Sequence, residues 1–366
     1  MSNEDVSRAP SIAALRRCKT SAWRASFGAL GARAIAIDVP ESFVRYILED
    51  GVSCEESNEA LGRRIAVDEF DERESEERFR DADGEEARER AFPSFEREIA
   101  DAIEHLGGAC APKFEWSAPK DSVWVNAGKT MKCTNADEVI LLLKASDAVA
   151  HDLTDAYGAC RDYDDAKIEG ESESDRAVRE NPNVVLTLRE WYDLNPSMEF
   201  RCFVRGGNFC AVSQRHVNDY FEFLCDDLVA RSIEFAIDEF WHENIAHTDW
   251  HAEMQDYVFD VYVTPKNKRV KLIDFNVWGG TTLPLLFDWI ELEELGARMS
   301  GDACAGHGDG DACSAHDGVE FRIVTGQEHI RPGLQLGVPY DLYDTSSGGA
   351  IAEFLKEQRR QQAQES

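Results

Sequence analysis

The chain has no apolar run approaching the ~20 residues needed to cross a bilayer. Its first ten residues, Met1 to Pro10, are polar, carry two acids and do not read as a signal peptide. It also lacks a Gly-x-x-x-x-Gly-Lys-Ser/Thr phosphate loop, the glycine-rich loop of protein kinases, and the kinase His-Arg-Asp and Asp-Phe-Gly motifs. Basic residues are scarce: 39 Lys and Arg stand against 71 Asp and Glu, a formal net charge of −32. A field of that sign repels a phosphate backbone, so no direct contact with nucleic acid is expected, whereas basic protein surfaces are attracted. The ten cysteines are scattered, several within apolar runs (Cys133, Cys202, Cys210, Cys225). They read as buried free thiols of a cytoplasmic, membrane-free chain rather than as a disulfide framework. Nothing in the composition asks for an obligate oligomer.

With 43% hydrophobic residues in a chain of 366, most of the sequence is expected to fold. Residues 1–54 hold short apolar runs around Trp23, Phe27, Ile35–Val39 and Phe43–Leu48, expected to pack on a first lobe. Residues 55–90 turn sharply to Glu, Asp and Arg and read as an acidic mobile linker or a solvated helix, with a grip on a basic partner as the functional alternative. The first lobe is placed at 91–182: Phe95, Ile99, Ile103 and Leu106 recur at helical spacing and Gly107-Gly108 stops the helix. Short strands are expected around Lys113–Trp116 and Ser122–Asn126, and Thr134 with Asp137 as a capping box before Val139, Leu142 and Leu143. Residues 161–182 are polar and linker-like.

The second lobe is placed at 183–300. Val184 to Trp191 reads as a strand, and Glu199 to Arg205 and Asn208 to Gln214 as a hairpin around Gly206-Gly207. Asp226 or Asp227 caps a helix with the apolar face Ile233, Ile237, Phe240 and Trp241, and a second hairpin joins Tyr257–Thr264 to Arg269–Asn276. Without regular βαβ spacing the class is α+β rather than doubly wound.

That last hairpin carries the strongest chemical signal. If Thr264 pairs with Val270, Asp260 lies opposite Asp274, with Asn276 two residues further on the same face. Facing carboxylates destabilise a sheet unless something neutralises them, and a hard cation such as magnesium does so. A slip of one residue instead leaves ordinary polar strand positions. Positive residues in short apolar segments are the second signal: Lys113, Lys120 and Lys132, then Arg189, Arg201 and Arg205. They read either as a clamp on a polyphosphate or as partners of sheet carboxylates such as Glu199.

Five segments stand in one order: Trp116-Ser117-Ala118-Pro119-Lys120-Asp121, Leu188-Arg189-Glu190-Trp191-Tyr192, Glu199-Phe200-Arg201-Cys202-Phe203-Val204, Ser213-Gln214-Arg215 and Leu272-Ile273-Asp274-Phe275-Asn276. Together they resemble the cell division cycle protein 123 family, from about Ser21 to Asp344. The resemblance implies an ATP-grasp fold, two α+β lobes clasping ATP and magnesium. It also implies a chaperone role in assembling eukaryotic translation initiation factor 2 through its gamma subunit, by a chain monomeric until it meets that client. By motif, Lys113 and Lys132 would reach the phosphates, with Trp116 and Ala118 on the same side. Arg189 and Trp191 would lie near the adenine, and Glu199 and Arg201 at ribose or phosphate. Asp260, Asp274 and Asn276 match the magnesium ligands. Val277, Leu283, His216 and Ala111 depart from the residues common in the family at those places. The same residues would also serve a catalytic ATP-grasp ligase joining a carboxylate to an amine.

Two features lie outside the resemblance. Cys304, His307, Cys313 and His316, in a Gly- and Asp-rich insertion at 301–320, offer four zinc-type ligands, although a duplicated Asp-Ala-Cys segment explains the pattern. In the C-terminal tail, 321–366, Pro339 to Asp344 forms an aromatic and acidic strip that either packs on the domain or docks a partner.

Overall fold

The computed structural model describes residues 8–49, 92–163, 172–299 and 318–326. The acidic stretch, most of the Cys/His insertion and the strip at Pro339 to Asp344 lie outside the described residues. Among those described no helix is long and apolar enough to cross a membrane.

Two antiparallel-based sheets organise the chain into an α+β architecture. The first has three strands in the order β1 (Ala34–Asp38), β3 (Val185–Glu190), β2 (Cys110–Lys113), both pairings antiparallel. Helices α3 (Glu41–Leu48), α4 (Pro93–His105), α5 (Ala136–Lys144), α6 (Asp147–Thr154) and α7 (Glu173–Glu180) belong to this unit. Its core joins Phe43 and Ile47, Phe95, Ile99 and Ile103, Leu142 and Leu143, and Leu186 and Leu188 of the central strand. The expected α4 face and its stop are present, Gly107 and Gly108 taking φ of 92° and 91°. The N-cap of α5 is Asn135, whose side chain accepts from Glu138 N–H; Thr134 instead donates its N–H to the Glu138 carboxylate, so the cap sits one residue later than expected.

The second sheet has five strands in the order β7 (Val270–Val277), β6 (Tyr257–Val263), β4 (Glu199–Arg205), β5 (Asn208–Gln214), β8 (Glu320–Arg322). The β4–β5 hairpin turns at Gly206 and Gly207, both left-handed (φ 56° and 76°), the geometry a two-residue hairpin loop requires. Helix α8 (Asp227–Asn244), capped by Asp226, lays Ile233, Ile237, Phe240 and Trp241 against one face of this sheet, beside Cys202, Phe259 and Phe275. On the other face Phe203, Val258, Trp278, Phe287 and Leu292, the last from α10 (Trp289–Met299), form a smaller cluster.

Several expectations are corrected. The strand at 185–190 is the centre of the first sheet, not part of the second lobe, so the boundary falls after Glu190; its apolar run shows a buried strand without saying which sheet buries it. The N-terminal segment divides. Its β1 and α3 join the first unit, but Trp23 and Phe27 of α2 (Thr20–Phe27) stack on Phe275 of the second, with centroids 5.6 and 5.2 Å apart. Val123–Val125 is a 3₁₀ turn rather than a strand, and only Cys110–Lys113 pairs in the sheet before it. The polar 161–182 segment contains α7, missed because Ala177 is its one buried residue. Cys225 is exposed, lying beside Leu224, the residue its 3₁₀ turn buries; Cys133, Cys202 and Cys210 are buried free thiols as expected. Strand β8, at the edge of the insertion, pairs in parallel with β5 and was not foreseen.

The N-terminal helices also tie the two units together. Lys19 pairs with buried Glu115 at 2.7 Å, the other Glu115 oxygen accepts from Val185 N–H at 2.7 Å, and Trp116 Nε1 donates to Leu15 O at 2.7 Å.

Candidate functional site

The site begins with a row of facing residues across the second sheet. Ser213 on β5 pairs with Arg201 on β4, Arg201 with Asp260 on β6, and Asp260 with Asp274 on β7. The expected Asp260–Asp274 pairing is present, but by another route. From the turn inward the register runs Val263 to Val270, Tyr262 to Lys271 and Val261 to Leu272, and then shifts so that Asp260 meets Asp274. Ile273 is therefore the extra residue of a β-bulge; without it Asp260 would face Ile273. Bulges commonly re-aim a side chain beside a functional site. Gly31 closes on the same spot: a Cβ there would stand 2.7 Å from Leu272 O.

Neither carboxylate stands bare. Arg201 grips Asp260 with two parallel bonds, Nε at 2.8 Å and Nη2 at 2.9 Å, and anchors Nη1 to Leu283 O at 3.0 Å. Arg215, one residue past β5, approaches the same carboxylate at 3.4 Å. Across the gap between the units, Lys113 of β2 reaches Asp274 Oδ2 at 2.5 Å and also donates to Trp116 O. Arg189 of β3 donates to Ile273 O, the bulge residue, at 3.4 Å. Glu199, two residues before Arg201 on β4, takes His216 at 3.4 Å and Arg215 at 3.9 Å.

Burial alone would raise the Asp260 carboxyl, but Arg201 and Arg215 outweigh it and hold it well below the usual carboxylate range. Burial likewise works against Glu199, and His216, Lys120 and Arg215 bring it below its ordinary value. The cations feel the reverse. Burial lowers Arg215 and Arg189, and burial with the nearby Arg215 charge lowers the Lys120 ammonium to about 8. Lys120 thus stands within electrostatic reach of Arg215, Arg189, Glu199 and Asp260. The cleft gathers five cations (Lys113, Lys120, Arg189, Arg201, Arg215) against three carboxylates (Glu199, Asp260, Asp274), an excess of two positive charges in a chain of net charge −32. Such an excess, crowded and partly desolvated, suits a multiply charged anion.

The fit to a divalent cation can be read from the oxygens. Asp274 Oδ1 is buried and has no hydrogen-bond partner. Asn276 lies two residues on along β7 and turns its amide nitrogen to Asp260 Oδ2 at 3.4 Å, which leaves its carbonyl oxygen to face elsewhere. Asp274 and Asn276 therefore fit a hard cation that prefers few protein oxygens and completes its shell with phosphate and water. Both Asp260 oxygens accept from Arg201, and Oδ2 also accepts from the Asn276 amide, so Asp260 is the member of the expected trio already held by an arginine. Arginine and lysine neutralise the facing acids here. Among the described residues no group of three or more His, Cys, Asp or Glu side chains is placed to hold a metal ion.

The other expected residues are not all brought together. The Trp116 indole turns to the N-terminal helices, edge-on to Tyr157 (5.6 Å) with Lys19 over its face (4.9 Å). Ala118 is half-buried and accepts from Lys120 N–H at 2.7 Å. Trp191 lies half-buried on the segment joining the two sheets, held to Ala109 O at 3.2 Å. Lys132 is exposed, in a loop pinned by Asn126, and no ion pair joins it to the cluster among the described residues. Lys120, one of the positive residues read as a polyphosphate clamp, joins the cluster, whereas Arg215 was missed although it stands in a segment that carried the family resemblance. A separate cavity of about 310 Å³ lies between Arg8–Arg17 and Arg205, Asp256, Trp278 and Glu293. Of its four arginines three are matched by acids (Arg8–Glu293, Arg17–Glu253, Arg205–Asp256) and Arg161 is the fourth, an excess of one positive charge against two in the cleft.

With this geometry in place, known proteins supply a comparison. A protein-family model described as D123 matches residues 23–346. A Xenopus tropicalis protein named translation initiation factor eIF2 assembly protein is 32% identical over 361 residues, covering 95% of this chain and 97% of its own length. One of the same name from Sclerotinia sclerotiorum is 32% identical over 285 residues, covering 76% of this chain but 64% of its own length. The solved structure of Cdc123 from Schizosaccharomyces pombe superposes with a TM-score of 0.59 at 30% identity, covering 86% of this chain and 98% of that one. The family match at residues 23–346 spans every strand of both sheets, so the chain belongs to the D123 family, that of cell division cycle protein 123.

Proposed function

We propose that the cleft between the two sheets binds ATP with magnesium, in the manner of an ATP-grasp protein, and that the chain serves as a cytoplasmic assembly factor for eukaryotic translation initiation factor 2 by binding its gamma subunit. The observation that carries the nucleotide reading is the positive excess in the cleft of an otherwise strongly acidic chain. Lys113, Lys120, Arg189 and Arg215 come from both units and converge on one place, as a polyphosphate clamp requires. Asp274 and Asn276 would hold the magnesium, which would neutralise phosphate charge, with Asp260 and Arg201 fixing their positions. The names of the relatives support the assembly role. Capture of purified gamma subunit on the immobilised chain with ATP and magnesium tests that role. Absence of capture counts against it, and steady ADP release that depends on a small carboxylate and an amine would favour a ligase instead.

The Lys120 ammonium gives a pH signature. A bound phosphate favours its charged form, so ATP binding holds its proton and raises its pKa from about 8. Affinity is then flat below that value and weakens as pH rises through it. Between pH 7 and 9.5 the wild type should lose about tenfold or more in ATP affinity, whereas Lys120→Met binds more weakly throughout and shows a flatter profile. Equal slopes in the two proteins would remove Lys120 from the site.

A further inference from the structure

The outer face of α8 carries apolar side chains that the core does not use. Leu228 is 80% exposed and Phe235 67% exposed, while the opposite face of the helix already buries Ile233, Ile237, Phe240 and Trp241. Seven residues apart, they lie two turns along one stripe, about 10 Å from each other. The 3₁₀ turn leading into the helix, Glu222–Cys225, adds Phe223, 45% exposed. A single exposed leucine needs no explanation, but a phenylalanine bare over two thirds of its surface beside a second apolar residue forms a patch.

The charges around the stripe are mostly acidic. Asp226, Asp227, Glu234, Asp238 and Glu239 flank it, with Arg231 the basic residue on the outward face. Glu234 and Asp238 lie one turn apart, and Glu320 of β8 adds a third carboxylate from the neighbouring strand. Burial, then Asp238, raises the Glu234 carboxyl, and Arg231 opposes them without cancelling the effect. Asp238 has His242 at 3.6 Å as its local partner. An apolar stripe edged by crowded carboxylates is complementary to one kind of surface: apolar residues at helical spacing edged by lysine or arginine.

We infer that the outer face of α8 docks a basic amphipathic helix of a protein partner. Its apolar residues cover Leu228 and Phe235, and its cations meet Glu234, Asp238 and Glu239. The face lies on the side of the second sheet away from the charged cleft, so a partner can sit here while the cleft holds its anion. The assembly reading enters only through the choice of one probe.

The test uses the full chain and the variant Leu228→Ser/Phe235→Ser, in which both changes are on the surface and thermal unfolding and ATP affinity should match wild type. The first probe is a labelled helical peptide of Leu and Lys with leucines at i, i+3, i+4 and i+7, followed by fluorescence anisotropy. The expected result is binding that weakens at least tenfold in the variant and with added salt; equal binding by the two proteins overturns the inference. The second probe is the gamma subunit of initiation factor 2. If it binds wild type and variant equally, this face is not its docking site and the inference fails for that partner. If it does not bind wild type at all, the assembly reading fails and the peptide result decides the surface. Wild-type self-association that disappears in the variant would assign the face to a second copy of the chain and overturn the inference as stated.

Discussion

Asp260→Ala is expected to lower the free energy of unfolding by about 3–5 kcal/mol, measured by urea denaturation. The change leaves Arg201 buried with two of its donors unmatched and removes the carboxylate that Arg215 faces. Taking one partner out of a buried ion pair costs far more than the pair itself contributes, because the remaining charge keeps its desolvation penalty. Replacing both, as Arg201→Met with Asp260→Leu, should recover most of the loss. A loss below about 1 kcal/mol for Asp260→Ala would match an exposed pair instead and contradict the cleft geometry. The pH dependence has a definite sign. Because the folded-state pKa of Asp260 is depressed, its contribution is complete above the unfolded value near 4 and is lost as acid takes the pH down through the lowered folded value.

The second large effect is on ligand binding. Asp274→Asn keeps the size of the side chain and removes its charge, and it should weaken ATP binding in magnesium about 100-fold, or about 2.7 kcal/mol. Binding without magnesium should change little or improve, since one carboxylate no longer repels the phosphates. Asparagine is the informative replacement. With alanine, Lys113 would keep only the Trp116 carbonyl as a partner in a buried setting, and stability would fall together with affinity. Calorimetric titration of ATP with and without magnesium separates the two contributions. An affinity unchanged by Asp274→Asn in the presence of magnesium would remove the Asp274 Oδ1 atom from the metal site.

How much of this was legible in the sequence differs from element to element. The β4–β5 hairpin was readable to the residue, because Gly206-Gly207 between two apolar runs has few other uses. Helix α8 was readable because its cap and its apolar face agree. The facing of Asp260 and Asp274 was readable as a pairing, but its turn register was one residue off and the bulge at Ile273 restored it. No propensity announces a bulge; this one is fixed by Gly31 and Arg189, far away in sequence. The partners of the two acids were not readable either. Opposite charges on a strand pair can be inferred, but Lys113 reaches Asp274 from the other sheet, 161 positions away. The same limit hid Arg215, and it left the clamp reading of Lys120 open between a phosphate and a sheet carboxylate. The assignment of Val185–Glu190 to a sheet failed for a related reason: alternation and apolar content describe a strand's faces, not its neighbours.

The measurement that tests the central claim most directly is a calorimetric titration of ATP into the wild-type chain, with and without magnesium. Binding that is present with magnesium and at least tenfold weaker without it is the predicted result, and it would place the nucleotide on the excess cations with the metal at Asp274. No heat of binding under either condition would contradict the account, and the five cations would then have to be explained by some other anion.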